Sequence, residues 1–158
     1  MRHAALLAAT PLRRRVVFAL PGAFAAVASA PRPAVASPEA LAAAIRDFAG
    51  DAPIATGRVR LEIPPLVENG NAVPLAVAVE SPMTPDDRVR RIAVFNERNP
   101  QPHVVTASMG PRAGRAALST RIRLATSQRL VAIAEMSDGG FWSGSTQVVV
   151  TLAACVEG

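Results

Sequence analysis

The residue of this sequence with the clearest chemical potential is Cys155, the only cysteine among 158 residues. It follows the β-prone run VVVTL near the end of the sequence, so it is poorly placed to be part of a core. With no second cysteine, it cannot form a disulfide within the chain. The sequence therefore predicts either a free reactive thiol or a cysteine that pairs with another molecule.

The residues around this cysteine predict an arm that displays the thiol. We expect the last strand to end at about Ala153, and residues 153–158 then reach about 20 Å if fully extended. An arm of this length would allow the sulfur atom to enter a pocket of another protein. The residues that flank Cys155 in the arm are Ala153, Ala154, Val156, Glu157 and Gly158.

Few other side chains are candidates for chemistry. Beyond residue 36 the single histidine is His103, so this chain alone cannot supply a zinc site. A nucleophilic pair of Cys155 with His103 is formally possible, but a lone histidine at a strand start favours a surface or edge position. Asp86 and Asp87 lie in a proline-flanked turn, and the Asp-Gly-Gly at 138–140 predicts a hairpin turn rather than a phosphate-binding loop.

The elements that must position the arm begin with a helix and continue as strands. Leu41, Ile45 and Phe48 recur at helical spacing after Ser37, a suitable N-cap, which predicts a short amphipathic helix over 38–49. From there the apolar period changes to two, which is typical of strands with one exposed face. Strands are predicted at 59–63, 73–80, 88–96, 103–109, 117–124, 129–137 and 147–153.

Seven short strands separated by turn-rich segments predict an all-β fold. The expected architecture is an immunoglobulin-like antiparallel β-sandwich with a short N-terminal helix. We expect residues 37–152 to form this single domain and residues 153–158 to form the C-terminal cysteine arm.

Residues 1–36 have the composition of an export signal peptide. A basic start precedes an apolar stretch, and the Ala-Val-Ala at 34–36 fits the small-residue pattern before a cleavage site. The three arginines at 13–15 resemble a twin-arginine signal, and the alternative is the general secretory route, which an arginine-rich start also suits. We therefore expect cleavage after Ala36 and a periplasmic location.

The net charge of +5 comes from this leader alone, which has five arginines and no acidic residue. Residues 37–158 hold 12 arginines and 12 acidic residues, so the part expected to fold is electrically balanced. It has too few aromatic residues to form stacking platforms for single-stranded nucleic acid. The apolar stretch of the leader is shorter than the ~20 residues of a membrane span. We expect neither nucleic acid nor a membrane as a partner.

Several stretches of the chain resemble SoxY, the sulfur-carrier subunit of the bacterial periplasmic thiosulfate-oxidising system. They are IPPLVENGNAVPLAVAVES at 63–81, ERNPQP at 97–102, TRIRLATSQRLVAIAEMSDGGFW at 120–142 and the final VVVTLAAC. Their order and spacing cover nearly the whole chain after the leader. The resemblance matches Cys155 to the family's carrier cysteine, which sits in a Gly-Gly-Cys-Gly-Gly arm; here alanines precede it, and Val156 and Glu157 follow it.

The resemblance also implies partners and a division of labour. It implies a heterodimer with a SoxZ-like subunit, no resident cofactor, and thiosulfate-derived sulfur held covalently on Cys155. SoxXA-like haem enzymes would load the thiol, SoxB-like enzymes would release sulfate, and SoxCD-like enzymes would oxidise the remaining sulfane, so the chain itself is a carrier and not an enzyme. The alternative is a non-carrier β-sandwich interaction protein in which Cys155 is vestigial or forms an interchain disulfide.

Overall fold

The computed structural model describes residues 37–154, which begin with the predicted helix. Helix α1 spans Pro38–Ala49, and the Ser37 hydroxyl accepts a 3.1 Å hydrogen bond from the Ala40 backbone N–H at its start. At its end Gly50 has a φ of 65° and donates its N–H to the Arg46 carbonyl at 2.7 Å. The predicted bounds of the helix and its N-cap are confirmed.

The rest of the described chain is mainly β-structure. Residues 37–154 contain nine strands: β1 (Ile54–Thr56), β2 (Val59–Glu62), β3 (Leu66–Val67), β4 (Val73–Val79), β5 (Val89–Asn96), β6 (His103–Ser108), β7 (Ala116–Ile122), β8 (Gln128–Met136) and β9 (Phe141–Val150).

These strands form two sheets. The larger has the order β1-β9-β8-β5-β6 with β3 also paired to β9, and the smaller has the order β2-β4-β7. The long strands pair antiparallel, whereas β1 and β3 run parallel to β9. The prediction of a β-sandwich is confirmed, and the two short parallel strands are an addition to it.

The core follows from the alternation of apolar and polar residues along the strands. In β4 the residues at odd positions face inward and are buried, while Pro74 and Ala78 are exposed. Strands β5 and β8 are buried on both faces over most of their length, because the small sheet covers one face and α1 covers part of the other. The residues that line the main core include Val73, Leu75, Val77, Ile92, Val94, Leu124, Leu130 and Val148.

Helix α1 lies on the outer face of the larger sheet. Leu41 packs with Phe95 and Ile133, and the ring of Phe48 lies 6.0 Å from those of Phe95 and Phe141 in edge-to-face geometry. Such aromatic pairs contribute about 0.5–1.5 kcal/mol beyond the area that they bury. The predicted role of the helix as a cover for the sheet follows from these contacts.

The last strand differs from its prediction at both ends. It was expected over 147–153, but β9 begins at Phe141 and ends at Val150. The early start follows from antiparallel pairing with β8, which continues up to the tight turn at 138–140. Position 144 within the strand needs a glycine, because the Val59 carbonyl comes so near that a Cβ there would lie 2.2 Å from its oxygen. It ends early because its pairing with β8 stops at Val148 and its pairing with β3 stops at Val150, and residues 152–154 then contact other loops.

Candidate functional site

Strand β9 leads directly to the cysteine arm, so its end defines the candidate site. Leu66 and Val67 of β3 pair with Val149 and Val150. The Thr151 N–H then donates to the Val67 carbonyl at 2.9 Å. These contacts hold the chain to the larger sheet through residue 151.

Beyond residue 151 three separated segments join in what we call the C-terminal clamp: Gly70, Leu124 and residues 152–154. The Gly70 N–H donates to the Leu152 carbonyl at 2.8 Å, and the Leu124 N–H donates to the Gly70 carbonyl at 2.8 Å. The Ala154 N–H in turn donates to the Leu124 carbonyl at 3.1 Å. The clamp therefore holds the residue to which Cys155 is attached.

The clamp requires a glycine at position 70. Gly70 is buried, and a Cβ there would lie 2.3 Å from the Leu124 carbonyl oxygen and 2.9 Å from the Ala154 nitrogen. Real Cβ atoms do not approach backbone atoms so closely. Gly70 is thus required because only a residue without a side chain lets the three segments meet.

Below the clamp lies a group of buried or half-buried amide side chains that we call the amide network: Asn96, Asn99 and Gln128. The Asn99 Oδ1 accepts from the Gln128 Nε2 at 2.8 Å and from the Ala125 N–H at 3.0 Å, and its Nδ2 donates to the Arg123 carbonyl at 2.8 Å. Asn99 thereby bonds to the residues on both sides of Leu124.

The same network fixes the loop at 97–102. The Gln128 Oε1 accepts from the Arg98 N–H at 2.8 Å, and the Asn96 side chain bonds both to the Asn99 N–H and to the Gln101 carbonyl. Buried polar groups are tolerated only when their hydrogen bonds are made, and these are. The network therefore gives the segment around Leu124 a defined position against which the clamp is built.

The predicted arm residues fall on both sides of the boundary of the described chain. Ala153 is exposed, whereas Ala154 is 6% exposed and bonded in the clamp. Cys155, predicted to be the carrier cysteine, and the residues Val156, Glu157 and Gly158 lie outside the described residues, as does the leader at 1–36. The arm predicted to leave the fold at Ala153 thus remains attached to it through Ala154.

His103 starts β6, the edge strand of the larger sheet, which is three strand positions from β9. It lines a groove together with Asn96, Asn99 and Arg123. Its Nε2 lies 2.8 Å from the Thr106 hydroxyl, and its ring packs 5.6 Å from that of Phe95. His103 is an exposed residue of an edge strand, as its lone occurrence suggested.

The acidic residues considered at the sequence level have structural roles. The Asp87 carbonyl accepts the Thr84 N–H within a turn, and the Asp87 carboxylate lies 3.5 Å from the Arg58 guanidinium. Asp138 accepts the Gly140 N–H in the hairpin between β8 and β9. No group of three His, Cys, Asp or Glu side chains within residues 37–154 is placed to hold a metal ion.

Reading the sequence alone missed Gly70, Asn99 and Gln128. Gly70 and Asn99 lie in turn-rich segments between predicted strands, where glycine, and asparagine beside proline, are typical of turns. The contacts that give these residues their roles join positions 24 to 84 residues apart, and no local pattern reports such a contact.

Two kinds of known protein are similar to this chain. The family model described as sulfur oxidation protein SoxY matches residues 45–155. The structure of the sulfur carrier protein SoxY from Chlorobium limicola f thiosulfatophilum is 28% identical with a TM-score of 0.62, and the match covers 73% of this chain and 100% of that one. The search of curated proteins gave no match.

The other similar structures share the fold alone. A superoxide reductase (neelaredoxin) from Ignicoccus hospitalis is 17% identical with a TM-score of 0.55, and the match covers 61% of this chain and 94% of that one. A superoxide reductase from Nanoarchaeum equitans is 16% identical with a TM-score of 0.51, over 61% of this chain and 100% of that one. At such identities the similarity concerns the sandwich and not the chemistry.

Proposed function

The chain belongs to the SoxY family, and from this premise we propose that it is a sulfur carrier that holds thiosulfate-derived sulfur covalently on Cys155. The observation that carries the proposal is the position of the only cysteine: it ends the family match and directly follows the clamped residue Ala154. A thiol attached to a fixed point of a rigid sandwich is suited to presentation to several enzymes in turn.

Loading the carrier is an oxidation. The Cys155 thiol loses its proton, a new S–S bond forms to the outer sulfur of thiosulfate, and two electrons pass to an oxidant. We assign the oxidant to a SoxXA-like haem enzyme. Release of sulfate and oxidation of the remaining sulfane belong to SoxB-like and SoxCD-like enzymes, so this chain acts as a carrier subunit and needs no cofactor of its own.

The proposal includes a partner and a compartment. We infer a heterodimer with a SoxZ-like subunit, since the SoxY family implies one. We infer a periplasmic location because residues 1–36 carry the pattern of an export signal. In residues 37–154 no helix has the length and apolar character that crossing a bilayer requires.

The carrier role is tested by intact mass spectrometry. The chain, with its SoxZ-like partner, is incubated with thiosulfate and the SoxXA-like enzyme, and we expect the mass to rise by one thiosulfonate group. Cys155→Ser removes the attacking sulfur and should show no increase, while Ala153→Ser keeps the cysteine and should show the full increase. An adduct on Cys155→Ser, or none on the wild type, would contradict the proposal.

A second candidate is a non-carrier interaction protein with Cys155 vestigial or in an interchain disulfide. Three exposed apolar side chains near the clamp favour a protein contact there: Leu66 is 58% exposed, Val149 53% and Leu152 69%. Leu66 and Val149 are direct partners in the β3–β9 pair. On a non-reducing gel this candidate predicts a dimer that Cys155→Ser abolishes, whereas an oxidised monomer that takes up thiosulfate supports the carrier.

A further inference from the structure

On one side of the sandwich each sheet has an edge strand that pairs with no further strand among the described residues. β6 is the last strand of the larger sheet and β7 the last of the smaller one. A groove of about 530 Å³ runs between them and is lined by both strands and by the loop at 97–102. The free N–H and C=O groups of such edges are the usual templates for pairing with another strand.

This side of the molecule is positively charged. Residues 103–123, which contain both edge strands, hold four arginines, one histidine and no acidic residue. Arg121 and Arg123 are exposed and line the groove. The ion pairs found within residues 37–154 involve Arg58, Arg90 and Arg91, which lie elsewhere. Because residues 37–158 are neutral as a whole, the positive charge is a local property of this side.

The dimensions of the groove fit a chain segment better than a small anion. Its volume is several times that of a tetrahedral oxyanion, and Val104, Val105 and Ile122 add apolar surface to its lining. At Thr120 and Arg121 it meets a second, open groove of about 900 Å³ that follows the outer face of the smaller sheet and is lined by Glu62 as well as Arg121, so the purely basic part of the surface is the groove between β6 and β7. A continuous surface of this kind, with unpaired strands and arginines, suits an extended peptide.

We propose that the β6–β7 side binds an extended acidic strand of the partner β-subunit, whose carboxylates face Arg121 and Arg123. This inference rests on the proposed function, since it needs the chain to work as a heterodimer. Charge complementarity selects the occupant: the arginines attract an acidic strand. A second copy of this chain is a poorer match, because its own β2 edge carries Arg60 as well as Glu62.

The test reverses the charge on this side and measures binding of the SoxZ-like subunit by calorimetry. We expect Arg121→Glu with Arg123→Glu to weaken binding at least tenfold at low ionic strength, because carboxylates then face carboxylates. The control is Arg60→Glu, an exposed arginine on the opposite edge of the smaller sheet, which should bind as the wild type does. Wild-type affinity should fall as salt is added.

Hydrogen exchange gives a second readout that does not depend on a variant. Binding of the partner should slow exchange of backbone amides in β6 or β7, because strand pairing occupies them. Unchanged binding by the double variant, or equal losses with Arg60→Glu, would overturn the assignment of the surface while leaving the carrier proposal intact. If the wild-type chain fails to bind the SoxZ-like subunit, or forms only its own dimer, both the heterodimer and this surface are wrong.

Discussion

Substitution of Gly70 by alanine tests the C-terminal clamp directly. The new Cβ would meet the Leu124 carbonyl oxygen at 2.3 Å and the Ala154 nitrogen at 2.9 Å, both of which are backbone atoms. Rotation of a side chain cannot relieve either overlap, so the three segments must separate. The separation breaks up to three backbone hydrogen bonds: Gly70 to Leu152, Leu124 to Gly70, and Ala154 to Leu124.

The expected loss of stability follows from that count. A net contribution of about 0.5–1.5 kcal/mol for each of the three hydrogen bonds gives a decrease of about 1.5–4.5 kcal/mol in the free energy of unfolding. For a domain of this size the melting temperature should then fall by roughly 6–18 °C. Denaturation with urea, followed by the fluorescence of Trp142, measures the change on the chain that begins at residue 37.

Gly114→Ala is the matched control for this substitution. Gly114 is exposed, and a Cβ there has no heavy atom within 4 Å, so its stability should stay within about 0.5 kcal/mol of the wild type. We also expect the Ala154 amide to exchange faster in Gly70→Ala, because the bond that protects it is lost. If Gly70→Ala unfolds at the same urea concentration as Gly114→Ala, the close approach at Gly70 does not hold the arm and the clamp is refuted.

Two further substitutions test the supports of the fold. Asn99→Ala should lower the free energy of unfolding by about 2–3 kcal/mol, because it removes the hydrogen bonds of the Asn99 side chain to the Gln128 Nε2, the Arg123 carbonyl and the Ala125 N–H. The exposed Asn71→Ala should change it little, and equal effects of the two substitutions in urea denaturation would contradict the amide network. Hydrogen bonds from its backbone and from Ser37 lower the pKa of Glu39, so its contribution to stability is present above the ordinary carboxyl pKa and is lost as the pH falls through the lowered value. Glu39→Gln should therefore flatten the acid side of the curve of stability against pH, and an unchanged curve would show that this carboxylate is not linked to folding.

The predicted elements differ from the observed ones where a strand depends on its neighbours in the sheet and not on its own sequence pattern. The helix and the long strands were found from their periodicity because each buries one face along its own length, as in α1 and β4. Strands β1 and β3 are two or three residues long, too short to show a period, and they exist only because β9 lies beside them. The start of β9 was missed because Gly144 and the serines around it weaken the local strand pattern.

The cysteine arm shows the same difference between what a local sequence pattern predicts and what contacts with distant residues produce. Its length was estimated as if the chain were free after the last strand, and composition alone supports that estimate. The structure instead bonds Ala154 to Leu124, thirty positions earlier in the sequence. A backbone hydrogen bond of this range depends on where the loops meet, which the residues next to Cys155 do not specify.

The class of fold, the candidate site and the family resemblance can be read from the sequence alone, because burial patterns, a single cysteine and ordered motifs are local properties of a chain. The surroundings of the base of the arm, and the sheet edges that lack a neighbouring strand among residues 37–154, follow from the folded structure. Gly70, Leu124 and Ala154 meet there, and β6 and β7 end their sheets side by side, through contacts between distant segments. Such contacts depend on the packing of the whole domain. Close approach and hydrogen-bond geometry decide which of several similar turn or edge residues make them.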